Sequence, residues 1–523
     1  MFPWAFSTRC GNKRVYLVAS IEQNSLSRKR TVLAAALPTP GWRVYSRSVR
    51  CLLLFFAFPL ALAPELSAQQ APAAGEVSPV FPVGTLIPKV VTAANPEQSY
   101  ALYIPKSYSP TKLSAIIYAF DPGANGIRPV ELMKEPAERY GYIVAGSNNS
   151  RNGSWKIEAE AAQAMLKDTE KRFPIDGRRV YFAGFSGGAR VAARLAQICK
   201  CTAGVFLNGA GFQPDSPASP DAKFLVFAAV GVYDFNYPEM VQLDDQLERL
   251  GYAHFLRRFD GPHQWAPDDV MKEALAWLRL QAMKTGREAR DESFIASQAT
   301  EEMERARQLE QSGDLYAAWK EYRQAAELID GLSDSAPLHA RAAEFEKDKA
   351  IREGTKREKQ DFDEQKQLSQ NLYDGLAALQ DYQENRAELR RVLSEKITDL
   401  RYHTEHEKRE ERHRVLRRAL AGVFGEAMEL GLARLEQKDT HRAQDYFELA
   451  CDADPNSVWA LSNVAIVQAM SGDRKGAFEA LRRARANTKN PERFIEWLRE
   501  EPALATLRST PEFSALLEAS SPH

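Results

Sequence analysis

Hydrophobic and polar positions divide the chain into two regions of different character. Between about residues 98 and 286, short apolar runs alternate with segments of helical periodicity. The predicted strands lie near 100–105 and at 113–120, 142–147, 179–183, 203–207, 223–230 and 252–258, and the predicted helices at 157–173, 187–198, 238–250 and 267–284. Strands that alternate with helices favour a mostly parallel sheet with helices on both faces, which is an α/β fold.

The second region, from about 287 to 523, shows no strand signal and is predicted to be all-α. Three segments, one at about 299–332 and two within about 424–491, carry small and aromatic residues in one 34-residue register. The register positions are Ala306, Ala318, Tyr322 and Ala325, then Ala443, Phe447 and Ala450, and then Ala465, Ala477, Leu481 and Ala484. They resemble tetratricopeptide repeats, and this resemblance implies a surface that binds a protein partner.

The helical stretch between the repeats carries one group of histidine and glutamate residues at helical spacing. His403, His406, Glu410 and His413 fall on one side of a helix, where they would suit a metal ion. A solvated charged face explains the same pattern more simply. The sequence therefore predicts no metal site and no cofactor.

Residues 1–68 are predicted to be an N-terminal extension followed by a secretory signal peptide. Arg47 and Arg50 precede an apolar run at 51–63, and small residues ending at Ala68 mark a cleavage site. The run is interrupted by Pro59 and is too short for a membrane span, and the alternative is a buried core segment. We expect an exported protein without a membrane span after cleavage, with residues 1–46 disordered or absent from the natural product. A Pro/Ala-rich linker is predicted at 69–97.

The length, net charge and cysteine spacing of the chain bear on its domain number, partners and disulfides. A chain of 523 residues exceeds what one core usually holds, so two or three domains are expected. A formal net charge of −1 gives no general attraction to nucleic acid or to a membrane surface, and no nucleic-acid partner is predicted. Cys199, Cys201 and Cys451 follow the cleavage site, and their spacing predicts no disulfide framework.

One pentapeptide in the α/β region carries the strongest chemical signal. Gly184-Phe185-Ser186-Gly187-Gly188 follows an apolar run at 180–183 and precedes good helix formers at 189–196. A strand, a G-x-S-x-G turn and a helix are the context of a nucleophile elbow. Glycines flank the serine because a Cβ there would collide with the neighbouring strand and helix. The turn exposes the Ser186 hydroxyl and aims the Gly187 backbone N–H at the same point.

A nucleophilic serine needs a histidine base and a carboxylate that orients it. Downstream in the α/β region, His254 lies in a predicted strand, whereas His263 lies in a turn-rich loop, so His263 is the predicted base. Asp234 follows the buried run at 223–230, at the edge where open α/β sheets bind ligands. Asp260 competes with it, but it is close enough to His263 to shape that turn instead. The predicted triad is Ser186, Asp234 and His263.

These motifs resemble those of the α/β-hydrolase superfamily. Within it, the region from about 100 to 284 is similar to compact esterases related to polyhydroxybutyrate depolymerases, feruloyl esterases and dienelactone hydrolases. The resemblance is carried by the segments 184–188, 231–234 and 261–265, and it implies hydrolysis of a small-molecule or polymeric ester through an acyl-enzyme. Such enzymes usually carry a His-Gly-Gly motif after the third strand, where this chain has Asp-Pro-Gly. Because Pro122 has no N–H, Gly123 is the predicted oxyanion donor beside Gly187.

Two functions are consistent with these patterns. The first is an exported serine hydrolase with a helical-repeat region that binds a protein partner. The second is a non-catalytic scaffold, in which the repeats bind a peptide and the hydrolase module is degenerate. The deviant Asp-Pro-Gly loop favours the second function slightly, and the intact set of Ser186, Asp234 and His263 argues for the first.

Overall fold

The computed structural model describes residues 81–518 except 201, 223 and 382–384, together with the paired strands β1 (Trp4–Cys10) and β2 (Lys13–Ala19). The predicted signal peptide and most of the predicted linker lie outside the described residues. No helix in the described part of the chain is long and apolar enough to cross a membrane.

A single eight-stranded sheet dominates the α/β region of the described chain. Its strands are β3 (Leu86–Val91), β4 (Ser99–Tyr103), β5 (Ser114–Phe120), β6 (Tyr142–Ser147), β7 (Ile175–Phe185), β8 (Thr202–Asn208), β9 (Leu225–Gly231) and β10 (His254–Phe259). Their order is β10-β9-β8-β7-β5-β6-β4-β3. All neighbours from β10 to β6 pair in parallel, and β4 and β3 add antiparallel pairs at one edge. The predicted mostly parallel sheet is confirmed.

Helices cover both faces of this sheet. They are α1 (Ile127–Tyr140), α2 (Trp155–Arg172), α3 (Gly187–Ile198), α4 (Tyr237–Leu250) and α5 (Asp268–Lys284). Successive side chains of a strand point to opposite faces. Along β5, Ile117 belongs to the core that includes residues of α1 and α5, whereas the next residue, Tyr118, hydrogen-bonds Thr169 of α2 at 2.8 Å. Burial on both faces explains why the central strands are continuous apolar runs.

Two elements of the α/β region were not predicted because each contains proline. Strand β3 lies within the predicted linker, so that prediction is wrong for residues 86–91. Pro88 is tolerated there because β3 is an edge strand with an irregular register between Ile87 and Val90. Helix α1 contains Pro129 in its first turn and Pro136 in its interior, and these hid its periodicity.

The all-α region is confirmed from residue 292 onward. Its helices are α6 (Glu292–Gln311), α7 (Leu315–Ile329), α8 (Ala336–Phe345), α9 (Lys349–Asp381), α10 (Arg386–His406), α11 (Glu410–Glu436), α12 (Thr440–Ala453), α13 (Val458–Ser471), α14 (Arg474–Asn487), α15 (Pro491–Glu500) and α16 (Pro511–Glu518), with a 3₁₀ turn at Pro502–Leu507. The alanine and aromatic positions of the predicted register are all buried. The assignment of these helices to tetratricopeptide repeats stays a prediction.

The hydrophobic core does not stop at the predicted boundary near residue 286. One buried cluster runs from the sheet through α5 into α6, α7 and α8, and it ends at Ile351. A second cluster holds the helices from α9 to α16 together. The first helical hairpin is therefore part of the same core as the sheet.

Cys199 is disulfide-bonded, contrary to the prediction, and Cys451 is free.

Candidate active site

The nucleophile turn lies at the carboxyl end of β7, beside the point where the strand order reverses between β7 and β5. Open α/β sheets bind ligands at this crevice. Ser186 adopts φ 52° and ψ −123°, which is a strained conformation for a residue with a side chain. Its N–H donates to the Asn208 carbonyl at 2.9 Å, which holds the turn against β8.

Two of the flanking glycines are required by close approach. A Cβ on Gly184 would stand 2.1 Å from the carbonyl oxygen of Gly188. A Cβ on Gly188 would stand 2.1 Å from the carbonyl oxygen of Phe120, at the end of β5. Real Cβ atoms do not approach backbone this closely, so only glycine allows α3 to start directly above β5 and β7.

The three predicted triad side chains lie within hydrogen-bonding distance of one another. His263 Nε2 is 2.8 Å from Ser186 Oγ. His263 Nδ1 is 2.9 Å from both carboxylate oxygens of Asp234, whose side chain is fully buried. The Asn236 N–H donates to Asp234 Oδ1 at 2.8 Å and holds the carboxylate in the loop after β9. A serine, an imidazole and a carboxylate in this chain can transfer a proton from the hydroxyl.

Aromatic rings limit how the imidazole can turn. The Phe235 ring lies 4.3 Å from the His263 ring, centroid to centroid, and the Phe185 ring lies 4.6 Å from it. Phe185 is the second residue of the pentapeptide, and Phe235 follows Asp234. The loop that supplies the acid and the turn that supplies the nucleophile therefore also supply the walls that orient the base.

The predicted role of Gly123 does not agree with the structure. Its N–H donates to Asp121 Oδ1 at 2.9 Å, so this amide already has an acceptor. The other carboxylate oxygen of Asp121 accepts from Trp265 Nε1 at 2.7 Å. Asp121 thus ties the loop after β5 to the loop that carries His263. Gly187 begins α3, and no acceptor for its N–H is recorded in the described part of the chain.

His254 and Asp260, the alternatives to His263 and Asp234, lie outside this group. His254 is the first residue of β10, where Nδ1 lies 3.0 Å from the Tyr252 carbonyl and Nε2 lies 3.3 Å from Asp244 Oδ1. Asp260 is exposed in the turn after β10. Neither residue contacts the group formed by Ser186, Asp234 and His263.

The helical region contacts the acid loop directly. Gln365 of α9 donates from Nε2 to the Phe235 carbonyl at 2.9 Å. Arg418 of α11 donates to the Val232 carbonyl at 3.2 Å and to Gln365 Oε1 at 2.7 Å. Both carbonyls flank Asp234, and both Arg418 and Gln365 are buried. Residues far along the chain therefore fix the backbone on either side of the candidate acid.

A second set of contacts places α11 against the same loop. The Arg417 guanidinium lies 4.3 Å from the centre of the Tyr233 ring, and Tyr233 donates its hydroxyl to Glu410 at 2.8 Å. Gly425 faces the Phe235 ring, and a Cβ added there would lie 3.6 Å from it. A side chain at position 425 would therefore be in van der Waals contact with the ring that packs on His263.

The histidines of α10 and α11 do not form a cluster. His403 lies 3.6 Å from Asp399, and His406 Nδ1 lies 2.8 Å from the Tyr402 carbonyl. Over the described residues, no group of three or more potential ligands could hold a metal ion.

No protein-family model and no curated protein matches this chain. Among solved structures, it is similar to S-formylglutathione hydrolase FrmB from Staphylococcus aureus, with 15% identity, coverage of 38% of this chain and 99% of that chain, and a TM-score of 0.31. It is also similar to a ferulic acid esterase, with 18% identity, coverage of 37% of this chain and 97% of that chain, and a TM-score of 0.32. A third similar structure is an esterase from the archaeon Pyrobaculum calidifontis, with 14% identity, coverage of 38% of this chain and 87% of that chain, and a TM-score of 0.32. The parallel sheet and the strand–serine–helix turn themselves define an α/β-hydrolase fold.

Sequence reasoning missed three residues that organise the site. Asn208 accepts from the Ala266 N–H at 2.6 Å and so links β8 to the histidine loop. Asn208 and Asp121 could have been found, since each is a polar residue at the carboxyl end of a central strand. Arg418 gives no such signal, because it is a basic residue in a charged helix.

Proposed function

We propose that this protein is a serine hydrolase that cleaves an ester or related acyl bond through an acyl-enzyme. The proposal is supported above all by the continuous chain from Ser186 Oγ through His263 to the buried Asp234, at 2.8 and 2.9 Å. Its substrate would be a small-molecule or polymeric ester.

The geometry supports the following reaction. Ser186 Oγ attacks the acyl carbon while His263 Nε2 accepts the hydroxyl proton, and the carbonyl oxygen becomes an oxyanion that the Gly187 N–H stabilises. The imidazolium then donates this proton to the leaving alkoxide, and the alcohol departs from the acyl-enzyme. Water then attacks the acyl carbon while His263 Nε2 accepts one of its protons. The second tetrahedral intermediate breaks its bond to Ser186 Oγ and releases the acid, and the imidazolium returns the proton to Oγ. Throughout, Asp234 accepts the hydrogen bond from Nδ1, which holds Nε2 towards the serine.

Turnover of short-chain p-nitrophenyl esters by the full chain tests this function. The protein should release p-nitrophenol, and Ser186→Ala should abolish this release while keeping the same thermal midpoint. If the wild-type protein is folded and releases no p-nitrophenol from esters of any chain length, the non-catalytic scaffold becomes the better account.

Export is a separate proposal. It is supported by the basic, apolar and small-residue pattern of residues 47–68, which lie outside the described residues. Protein recovered from the periplasm or medium of a bacterial host should begin at Gln69. Recovery of the chain with its first residue intact would contradict export through this signal.

A protein partner for the helical region is also a proposal. It is supported by the predicted repeats and by two apolar side chains of α13, Trp459 and Met470, which are 50% and 48% exposed. Binding of a displayed peptide library to the full chain, compared with Trp459→Ala, tests it. Peptides that bind both forms equally would place the partner site elsewhere.

A further inference from the structure

An enzyme that passes through a tetrahedral oxyanion usually provides two hydrogen-bond donors for it. Here the Gly187 N–H is one, and the predicted second donor, Gly123, already donates to Asp121. We propose that the side-chain amide of Asn152 is the second donor and that Glu429, on α11, holds it in place. This inference rests on the proposed hydrolase function.

The Asn152 carboxamide lies directly beside the Gly187 backbone. A Cβ added to Gly187 would stand 1.9 Å from Asn152 Oδ1 and 3.5 Å from Nδ2. Since a backbone nitrogen lies about 2.5 Å from its own Cβ, the Gly187 nitrogen and Asn152 Nδ2 are at most about 6 Å apart. Two donors that share one oxygen at about 2.9 Å each are separated by up to about 5.8 Å. The upper limit for the two nitrogens thus lies at the edge of the range in which two donors can share one oxygen. Asn152 Oδ1 is the atom nearest to Gly187, so the proposal requires the carboxamide to present Nδ2 to the substrate oxygen.

The space that Asn152 occupies exists because residue 187 is glycine. A Cβ at 187 would meet the carboxamide in the position that it occupies in this structure. This gives a chemical reason for Gly187, the second glycine of the pentapeptide, besides the backbone contacts that require Gly188. Asn152 lies in the loop at 148–154, which connects β6 to α2.

Asn152 is exposed and makes one backbone and one side-chain hydrogen bond. Its backbone N–H donates to the Pro122 carbonyl at 2.9 Å, which ties it to the loop after β5. Its Nδ2 donates one hydrogen to Glu429 Oε1 at 3.4 Å. An amide nitrogen carries two hydrogens, and no acceptor for the second is recorded in the described part of the chain. That second N–H is the one available to a substrate oxygen.

The role of Glu429 follows from charge. A carboxylate near an oxyanion would repel it if it faced the oxyanion directly, but here the amide stands between them. By accepting from Nδ2, Glu429 polarises the amide and makes its other N–H a better donor. Helix α11 would thus contribute on both sides of the site, through Arg418 at the acid loop and through Glu429 at the oxyanion. The helical region would then complete the catalytic machinery of the sheet.

The test compares Asn152→Ala and Asn152→Asp with the wild-type full chain. Asn152→Asp keeps the shape and removes both N–H donors. The matched control is Asn149→Ala, because Asn149 lies in the same loop but bonds the backbone of Ser99 and Glu97, on the side of β4. The readouts are kcat and KM for a p-nitrophenyl ester, and the Ki of a trifluoromethyl ketone, whose adduct with Ser186 carries an oxyanion.

Loss of one oxyanion donor should lower kcat by about 10²- to 10³-fold with little change in KM. The ketone Ki should rise by a similar factor in both Asn152 variants, and Asn149→Ala should leave both quantities near the wild-type values. A structural role alone would lower stability without this parallel between kcat and Ki. If the wild type hydrolyses the ester and both Asn152 variants keep its kcat and Ki, the inference is wrong and the hydrolase proposal stands. An inactive wild type would overturn both.

Glu429 needs its own pair of variants, because it acts through Asn152. Glu429→Gln keeps an acceptor oxygen for Nδ2, whereas Glu429→Ala removes it. We expect Glu429→Ala to lower kcat and raise the ketone Ki together, and Glu429→Gln to restore most of both. Equal values for the two variants would refute the positioning role of Glu429.

Discussion

Replacement of Arg418 by methionine tests whether the helical region holds the acid loop. Met keeps much of the length and apolar contact of the stem but removes the donors to the Val232 carbonyl and to Gln365 Oε1. A buried acceptor left without a donor costs about 1–3 kcal/mol, so two would cost about 2–6 kcal/mol. Burial also lowers the pKa of Arg418, which shows that its charge is poorly hydrated in the folded chain. Removing that poorly hydrated charge offsets part of this cost. We therefore expect Arg418→Met to lower the free energy of unfolding by about 2 kcal/mol.

The assay has to separate stability from positioning. Thermal midpoints measure the first, and ester turnover per active site, with sites counted by fluorophosphonate labelling, measures the second. Because the Val232 and Phe235 carbonyls flank Asp234, a small shift of this loop misplaces the carboxylate. Misplacement on the scale of 1 Å costs about 100-fold, so we expect a loss of about 10- to 100-fold in turnover per site.

Arg417→Met is the matched control. Arg417 is exposed, and its recorded contact with the loop is with the Tyr233 ring. It should therefore change the thermal midpoint and the turnover very little. If Arg418→Met turns over at the wild-type rate per labelled site, the helices do not position the acid, and their contacts with the loop serve stability alone.

Three further predictions concern single side chains. His263→Ala should lower turnover by at least about 10³-fold at an unchanged thermal midpoint. His254→Ala breaks contacts at the start of β10, so it should lower the thermal midpoint and leave turnover unchanged. The reverse pattern would refute the assignment of His263 as the base. Asp234→Asn should lower kcat by about 10⁴-fold, because an amide favours the wrong imidazole tautomer, and a loss below tenfold would contradict it. Burial raises the pKa of Glu158 to about 7, above roughly 4.3 in an unfolded chain, so this group makes the native state less stable as pH rises through that window. Glu158→Gln should therefore raise the thermal midpoint at pH 8 but not at pH 4, and an equal gain at both would show that its charge is irrelevant.

The sequence predicted the sheet well because its central strands obey one rule. Strands buried on both faces are continuous apolar runs, and β5 and β9 are recognisable from composition alone. The edge strand β3 lacks such a run and contains Pro88, since only one side of it must pair. Helix α1 was not predicted for a related reason. Pro136 interrupts its helical sequence pattern, although the helix forms in the folded chain.

The candidate site likewise contains residues that the sequence could predict and contacts that it could not. The proximity of Ser186, Asp234 and His263 could be predicted, because each follows the end of a strand and such positions are recognisable in the local sequence. The competition for the Gly123 N–H could not be read, since it depends on where the Asp121 carboxylate turns. The contacts that Arg418 and Glu429 make could not be predicted either, since they depend on how α11 folds back on the sheet, and Arg418 is 186 residues away in sequence from Val232.

Covalent labelling of the full chain by a fluorophosphonate, followed by proteolysis and mass spectrometry, tests whether Ser186 is an activated nucleophile. The reagent reacts with a serine only when a neighbouring base activates it. We expect one adduct per chain, located on Ser186, and labelling that is slowed by orders of magnitude in His263→Ala. An adduct on another residue, or equal labelling rates for the wild type and His263→Ala, would show that His263 does not activate Ser186.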